Sequence, residues 1–542
     1  MLNWLYNTFW ATWIRKACTV LVVLAVVVPL AVIIPGRIGA PEFCAEGVER
    51  SAGECIGVNG SGYDFGTPEI HQVADAIGRE NKRIAGESDI VSIAMMLPLQ
   101  PKTDAESAQL RSELQGAYLA QYRANRSENK PLLRLVLANP GADYAQQEKV
   151  VDRLAAMADS PRDNLRAVTG FNLSLDHTKK AVARLTGTLR IPVLASRVSA
   201  DDLANPDDRS GSLPYPGLAR VIPTNRQQAA ALANFHGGLR DAETVLVKDL
   251  RPNDIYDESL AKAFSRPEPG PPGPKDQPFT SPGINDLGDT GNDFTTIGHN
   301  ICASDARVVY FAGRPAHLRL FALKLAEVPC HGKKYTVVSG SGAATLDRYM
   351  SRGDWEALRG DDGAGATITV QYAAPGHPDA WDASLRTWEK ERRADTGKAP
   401  AAGDRPAYLT EPQGELRELR RLIDRQPGGD IGPVTLEDSR TMLVHDGVRT
   451  IASAVFLANA QAVGTAVPTR ERVAAQWPRL EARYRVRGTS GWICLTNGGN
   501  AYDKPVAVVK LDPGTRRVAF VGLGWPERKP QPADCAVPSG TG

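Results

Sequence analysis

Four hydroxyl side chains, Ser174, Thr178, Ser196 and Ser199, fall within one stretch, LRAVTGFNLSLDHTKKAVARLTGTLRIPVLASRVS at residues 165–199. Hydroxyls beside the unpaired amides of a helix N-terminus suit the grip of a small anion or carboxylate. Such a grip needs a frame. The apolar run 165–170 reads as a strand ending at Gly170, 176–185 as a helix and 191–194 as a second strand. A strand, helix, strand unit closes with a right-handed crossover into a parallel sheet, whose ligands sit outside the carboxyl ends of the strands. Ser174 and Thr178 lie in the loop and first helical turn, Ser196 and Ser199 after the second strand. The plainer role for Ser174 and Thr178 is to cap the helix, and the residues alone leave both roles open.

Catalytic patterns are sparse. The chain contains no G-x-S-x-G, H-E-x-x-H or G-x-x-x-x-G-K-[ST], which disfavours serine esterase, zincin and P-loop chemistry. Ser259 and Lys262 form S-x-x-K within ESLAK, but the SDN and KTG partners of a penicillin-interacting nucleophile are missing. An exposed helix serine with a lysine one turn away accounts for the pair. The histidines are scattered, and His177 reads as a solvated helix start rather than a base. No enzyme and no cofactor is expected, and an exported hydrolase is the weakest alternative.

The chain of 542 residues is long enough for several domains, and its 42% hydrophobic content allows a large core. A net charge of +2 leaves no electrostatic footprint for nucleic acid. Residues 1–36 are of a different material. ACTVLVVLAVVVPLAVIIP at 17–35 carries no charge, and at helical rise it spans about 28 Å, close to the ~30 Å of a bilayer's hydrocarbon core. Arg15 and Lys16 precede it and Trp4, Trp10 and Trp13 suit the interface, so the N-terminus is expected in the cytoplasm and the bulk of the chain outside. The run exceeds a signal peptide's apolar region and no A-x-A site follows, which favours an uncleaved transmembrane anchor.

Cys18 lies in that run and leaves six cysteines, an even number for an oxidising compartment. Sequence proximity favours Cys44–Cys55, Cys302–Cys330 and Cys494–Cys535 among the possible pairings. Metal ligation is the rival, but no C-x-x-C and no histidine cluster accompanies them, so no metal site is expected.

Residues 37–88 read as an extracytoplasmic stalk with a disulfide loop and an amphipathic helix at 70–84. From 90 onward strands and helices alternate: strands 90–99, 132–138 and 220–223, then 243–250, 307–314, 334–340 and 366–373, with helices between them. This is a doubly wound α/β pattern in two series, divided near residue 224. The Pro- and Gly-rich stretch 266–293 reads as an irregular exposed loop. Residues 436–460 form a long helix, and the Asn-Gly-Gly-Asn turn at 497–500 reads as a hairpin joining 491–495 to 505–511.

Taken in order, VSIAMMLPL, GFNLSLDHT, IPVLASRVSADDL, RVIPTNRQQAAALANF, DIYDESLAKAF, VVYFAGRPAHLRLF, VVSGSGAAT, LVHDGVRTIASAV and GTSGWICLTNGGNAYDKPVAVVKL resemble the type I periplasmic solute-binding proteins, in their leucine/branched-chain amino acid branch. The resemblance covers roughly residues 90–525 and lies in the order of the segments. It implies an α/β fold of two doubly wound parallel-sheet lobes joined by hinge strands, 89–223 with 371–482 and 224–370 with 483–542. It further implies that Ser174, Thr178 and Ser199 form a first-lobe wall for a ligand carboxylate, and that Tyr256 is the second-lobe tyrosine. Arg314 falls where the family carries an aromatic pocket residue, and Ser341 where amino-acid binders often carry a glutamate for the ligand's ammonium. Those two exchanges remove a negative charge and add a positive one, worth kilocalories under partial burial; a surface salt bridge with a nearby carboxylate is the other role open to Arg314. A zwitterionic amino acid is therefore expected to bind poorly, and the ligand to carry acidic or polar groups. The function implied is a membrane-anchored, extracytoplasmic binder of a small polar or amino-acid-like solute, serving an ABC-type permease. A ligand-sensing or protein-recognition ectodomain on the same fold is the alternative.

Overall fold

Apolar runs from residue 90 onward form the centres of two sheets. The computed structural model describes residues 12–14, 16, 17, 19, 21, 43–207, 213–236, 244–265, 276–330, 332–359, 365–426, 428–461 and 467–538. The chain divides into two compact units, Met1–Cys55 and Ile56–Gly542. In the first, strands Phe43–Ala45 and Val48–Ser51 pair antiparallel, and Cys44 is disulfide-bonded to Cys55. The apolar run 17–35 lies mostly outside the described residues, among which no helix is long and apolar enough to cross a membrane.

In the second unit, one sheet runs in the order Leu132–Asn139, Ile90–Met96, Leu165–Thr169, Val193–Ala195, Leu218–Arg220, all parallel. Ile90–Met96 is buried along almost its whole length, as a strand covered on both faces must be. Strand Glu54–Asn59 adds to this sheet antiparallel, through Gly57, Val58 and Asn59 against Leu132–Asn139. Helix His71–Ile84 buries Val73, Ala74, Ile77 and Ile84. The stalk expected over 37–88 is thereby corrected: from Ile56 onward its apolar side chains belong to a core, because leaving them in water forgoes their burial energy.

The other sheet runs Gln277–Phe279, Thr244–Asp249, Val308–Ala312, Lys334–Ser339, Thr367–Ala374, all parallel, and is completed by the antiparallel hairpin Val506–Asp512 and Arg517–Gly524. Two elements correct the loop expected over 266–293. Gln277–Phe279 is an edge strand, and helix Thr290–Cys302 buries Phe294, Ile297 and Ile301 on one face. The hairpin expected across 497–500 reduces to one bridge, Leu495 with Ala501. That turn is tied to the first sheet instead, where Gly499 O accepts the Arg220 N–H at 2.8 Å and Asn500 Nδ2 donates to Asn205 O at 2.7 Å. Gly491–Ile493 pairs with Val486–Gly488. Disulfides Cys302–Cys330 and Cys494–Cys535 are formed.

The chain passes between the sheets three times: after Leu218–Arg220, after Thr367–Ala374, and after helix Arg440–Ala460, which returns to pack on helix Asp104–Ala124 beside the first sheet. The two helices approach closely at Gly116, where a Cβ would lie 2.4 Å from the Thr441 carbonyl oxygen. Backbone cannot yield there as a side-chain tip can. Gly116→Ala is therefore expected to destabilise the protein by about 1–3 kcal/mol through overpacking, measured as the shift of the urea midpoint.

Candidate functional site

A cavity of about 460 Å³ opens where the carboxyl ends of both sheets meet. Its lining comes from the loops after Ile90–Met96, Leu132–Asn139, Leu165–Thr169 and Val193–Ala195 in one sheet, and after Thr244–Asp249, Gln277–Phe279, Val308–Ala312 and Lys334–Ser339 in the other. Parallel strands direct their helix starts and free amides to this end, the place where open α/β sheets bind ligands.

Five of the seven residues singled out from the sequence line it: Ser174, Ser199, Tyr256, Arg314 and Ser341. The other two do not. Thr178 donates its hydroxyl to Leu173 O at 2.6 Å, closing its own loop. Ser196 is fully buried against helix Arg440–Ala460, where a Cβ on Gly447 would come within 2.1 Å of its Oγ. Ser259, read as exposed, is only 3% exposed, and its hydroxyl donates to Asp201 Oδ2 at 2.9 Å. Lys262 pairs with Glu258 instead, at 2.7 Å.

The two walls meet through polar contacts. Tyr256 N–H donates to Ser174 O at 3.2 Å, and Ser341 Oγ to Ser199 Oγ at 3.5 Å. Tyr256 Oη accepts the Gly342 N–H at 2.9 Å, and burial pushes its phenol up from the ordinary tyrosine range.

Arg314 changes the electrostatic reading of the site. It is 6% exposed and makes two bonds to Asp254, Nε to Oδ2 at 2.7 Å and Nη2 to Oδ1 at 2.6 Å, with its guanidinium 4.8 Å from the Tyr256 ring centre. Burial alone would raise the Asp254 carboxyl, but Arg314 and Arg251 outweigh it and hold that carboxyl below its ordinary value. Burial, then the Asp254 charge, push the neighbouring Asp257 well above the carboxylate range. Of the two roles open to Arg314, a positive charge offered to the ligand and an ion pair with a nearby carboxylate, the structure shows the ion pair, buried rather than at the surface, on Asp254.

Among the lining residues that sequence reasoning missed are two buried arginines, Arg197 and Arg440. Both reach Glu113 on helix Asp104–Ala124, Arg440 through Nη1 and Arg197 with Nε 3.6 Å from the same oxygen. Both lie in segments whose partners come from elsewhere in the chain, Arg197 in the bend after strand Val193–Ala195 and Arg440 at the start of helix Arg440–Ala460. Among the described residues, no group of three or more His, Cys, Asp or Glu is arranged to hold a metal ion.

Solved structures similar to this chain are substrate-binding proteins. A leucine-binding protein from Thermotoga maritima is 16% identical, with 81% of this chain and 99% of that one covered and a TM-score of 0.50. The substrate-binding protein of a branched-chain amino acid transporter from Streptococcus pneumoniae, solved with isoleucine, is 13% identical, with 81% and 99% covered and a TM-score of 0.50. An ABC transporter substrate-binding protein from Aeropyrum pernix is 14% identical, with 82% and 97% covered, again at 0.50. At these identities the likeness establishes the fold, that of the type I periplasmic binding proteins. No family model and no curated protein matches the chain.

Proposed function

We propose that this protein captures a small polar solute between two lobes, without catalysis, and delivers it to an ABC-type permease. The observation that carries this reading is the cavity walled from both sheets by the carboxyl ends of their parallel strands. A ligand touching both walls stabilises the closed arrangement over the open one, and the three chain crossings serve as the hinge. Ser174, Ser199, Tyr256 and Ser341 are the polar contacts of the bound solute. The apolar run 17–35 anchors the protein in the membrane with its bulk outside the cytoplasm, a placement in keeping with the three disulfides.

Spin labels on the two cavity walls test the closure. A bound solute is expected to shorten the distance between them, and distances unchanged by any small molecule would end the proposal. Leucine is expected to give no saturable heat in isothermal titration, because Ser341 offers no carboxylate to its ammonium. Alkaline carbonate extraction tests the anchor, the full chain being expected in the membrane pellet.

A further inference from the structure

The floor of the cavity carries one guanidinium more than its carboxylate can satisfy. Glu113 is fully buried, and its Oε1 faces both Arg440 and Arg197 while its Oε2 accepts the Asn172 amide at 3.1 Å. The Arg197 side chain is 6% exposed and that of Arg440 9%, and among the described residues neither Nε has a hydrogen-bond partner. Asp438 is the next carboxylate. It takes the Arg440 backbone N–H at 2.9 Å and the Arg348 guanidinium at 3.2 Å, and neither Asp438 nor Arg348 lines the cavity.

Across the cavity the buried charged groups are held by protein partners, Asp254 holding Arg251 as well as Arg314. Arg314 is held by Asp254, and Glu106 accepts Asn285 Nδ2 on one oxygen and the Lys102 and Thr103 N–H groups on the other. Lys102, Asp143 and Asp286 line the cavity but are exposed, where solvent screens them. Burial, and then the charge of Arg440, lower Arg197 to about 10, so it remains a cation at neutral pH. A buried cation sharing one carboxylate with another is stabilised by an incoming anion, and the guanidinium fork fits a carboxylate in two parallel bonds.

We propose that the solute is a small monocarboxylate lacking an ammonium group, its carboxylate seated on Arg197 and Arg440. Two guanidiniums on the one Glu113 carboxylate leave a single positive charge at this floor, which one negative charge balances. No buried lining carboxylate is left open to an ammonium, so amino acids are disfavoured, and a phosphate dianion overshoots the balance. This assignment rests on the reading that the cavity binds a solute.

The test is a thermal-shift and titration screen of the full chain, purified in detergent, against sets that share a carbon skeleton: monocarboxylates, dicarboxylates, primary amides, amines, α-amino acids and phosphate monoesters. Monocarboxylates are expected to raise the melting temperature while the matched amides do not. Arg197→Gln is expected to weaken the best monocarboxylate about 10- to 100-fold, as for loss of a charge-assisted bond, and Arg197→Lys to recover part of that loss. The ligand-free melting temperature of Arg197→Gln is expected to equal or exceed that of the parent, since an under-paired buried cation has been removed. Amides, amines, amino acids or phosphates binding as tightly as monocarboxylates overturn the inference and leave solute binding standing. So does Arg197→Gln binding unchanged, with or without a lower melting temperature. No binding in any class overturns both.

Discussion

Asp446→Ala is expected to cost about 3–5 kcal/mol of folding stability, the cost of leaving a buried charge unpaired, read from urea denaturation. Asp446 is fully buried on helix Arg440–Ala460 and accepts the Thr489 N–H at 2.8 Å, the Thr489 hydroxyl at 3.0 Å, the Ser490 N–H at 2.8 Å and the Ser490 hydroxyl at 2.6 Å. Lys504, 1% exposed, reaches the cluster through Ser490 Oγ at 2.8 Å. Alanine strands four donors and one ammonium together. The two partners shift differently for a physical reason. Burial raises the Asp446 carboxyl, but His445, Lys504 and Ser490 outweigh it and hold it well below the ordinary range. His445 is itself kept neutral by burial, so it contributes a hydrogen bond at 3.4 Å more than a charge. Lys504 touches the carboxylate only through Ser490, so burial prevails and lowers it to about 8.

The pH dependence follows. A carboxyl depressed in the folded state contributes stability above its unfolded pKa and loses it as pH falls below about 4. Acid should therefore narrow the gap between the parent and Asp446→Asn. The gap should also narrow as pH rises toward 8, because Lys504, no longer raised by Asp446, loses its proton earlier in the variant and then needs no counter-charge. A gap constant from pH 3 to 10 would refute the charged pair.

The second large effect is expected at Asp254. Asp254→Ala removes the carboxylate that holds both Arg314 and Arg251 and the cap that accepts the Tyr256 and Asp257 N–H groups at the start of helix Ile255–Phe264. About 3 kcal/mol or more is expected from the buried guanidinium, with ~1 kcal/mol from the lost cap. Asp257 limits the damage: it stands 4.0 Å from Arg314, and although burial still raises its carboxyl, loss of the Asp254 charge lets it ionise more readily. Asp254→Ala with Asp257→Asn should therefore fall below the single variant by more than Asp257→Asn costs alone. Arg314→Met placed on Asp254→Ala should recover most of the charge term, and calorimetry of the four proteins reads the coupling.

The sheets were legible because their central strands are long, apolar and bounded by turns, as in Ile90–Met96 and Lys334–Ser339. Gln277–Phe279 was not, since three residues inside a Pro- and Gly-rich stretch carry no period. Helix Thr290–Cys302 could have been found from the spacing of Phe294, Ile297 and Ile301, which falls on one helical face. In the site, hydroxyls and Tyr256 were recognisable from local pattern. Arg197 was not readable as a site charge, nor was the partner of Arg314, because both depend on Glu113 and Asp254, residues distant in sequence that only the fold brings near. Ser196 failed as a ligand contact because, just past the end of strand Val193–Ala195, it is buried against Gly447 of the long helix.

The strands that finish the second sheet, Val506–Asp512 and Arg517–Gly524, are synthesised last, yet they cover the edge of Thr367–Ala374, formed far earlier. During translation that edge waits as a row of unpaired backbone groups, able to recruit any extended chain it meets. Premature termination short of residue 506 thus yields an aggregation-prone species rather than a smaller working protein.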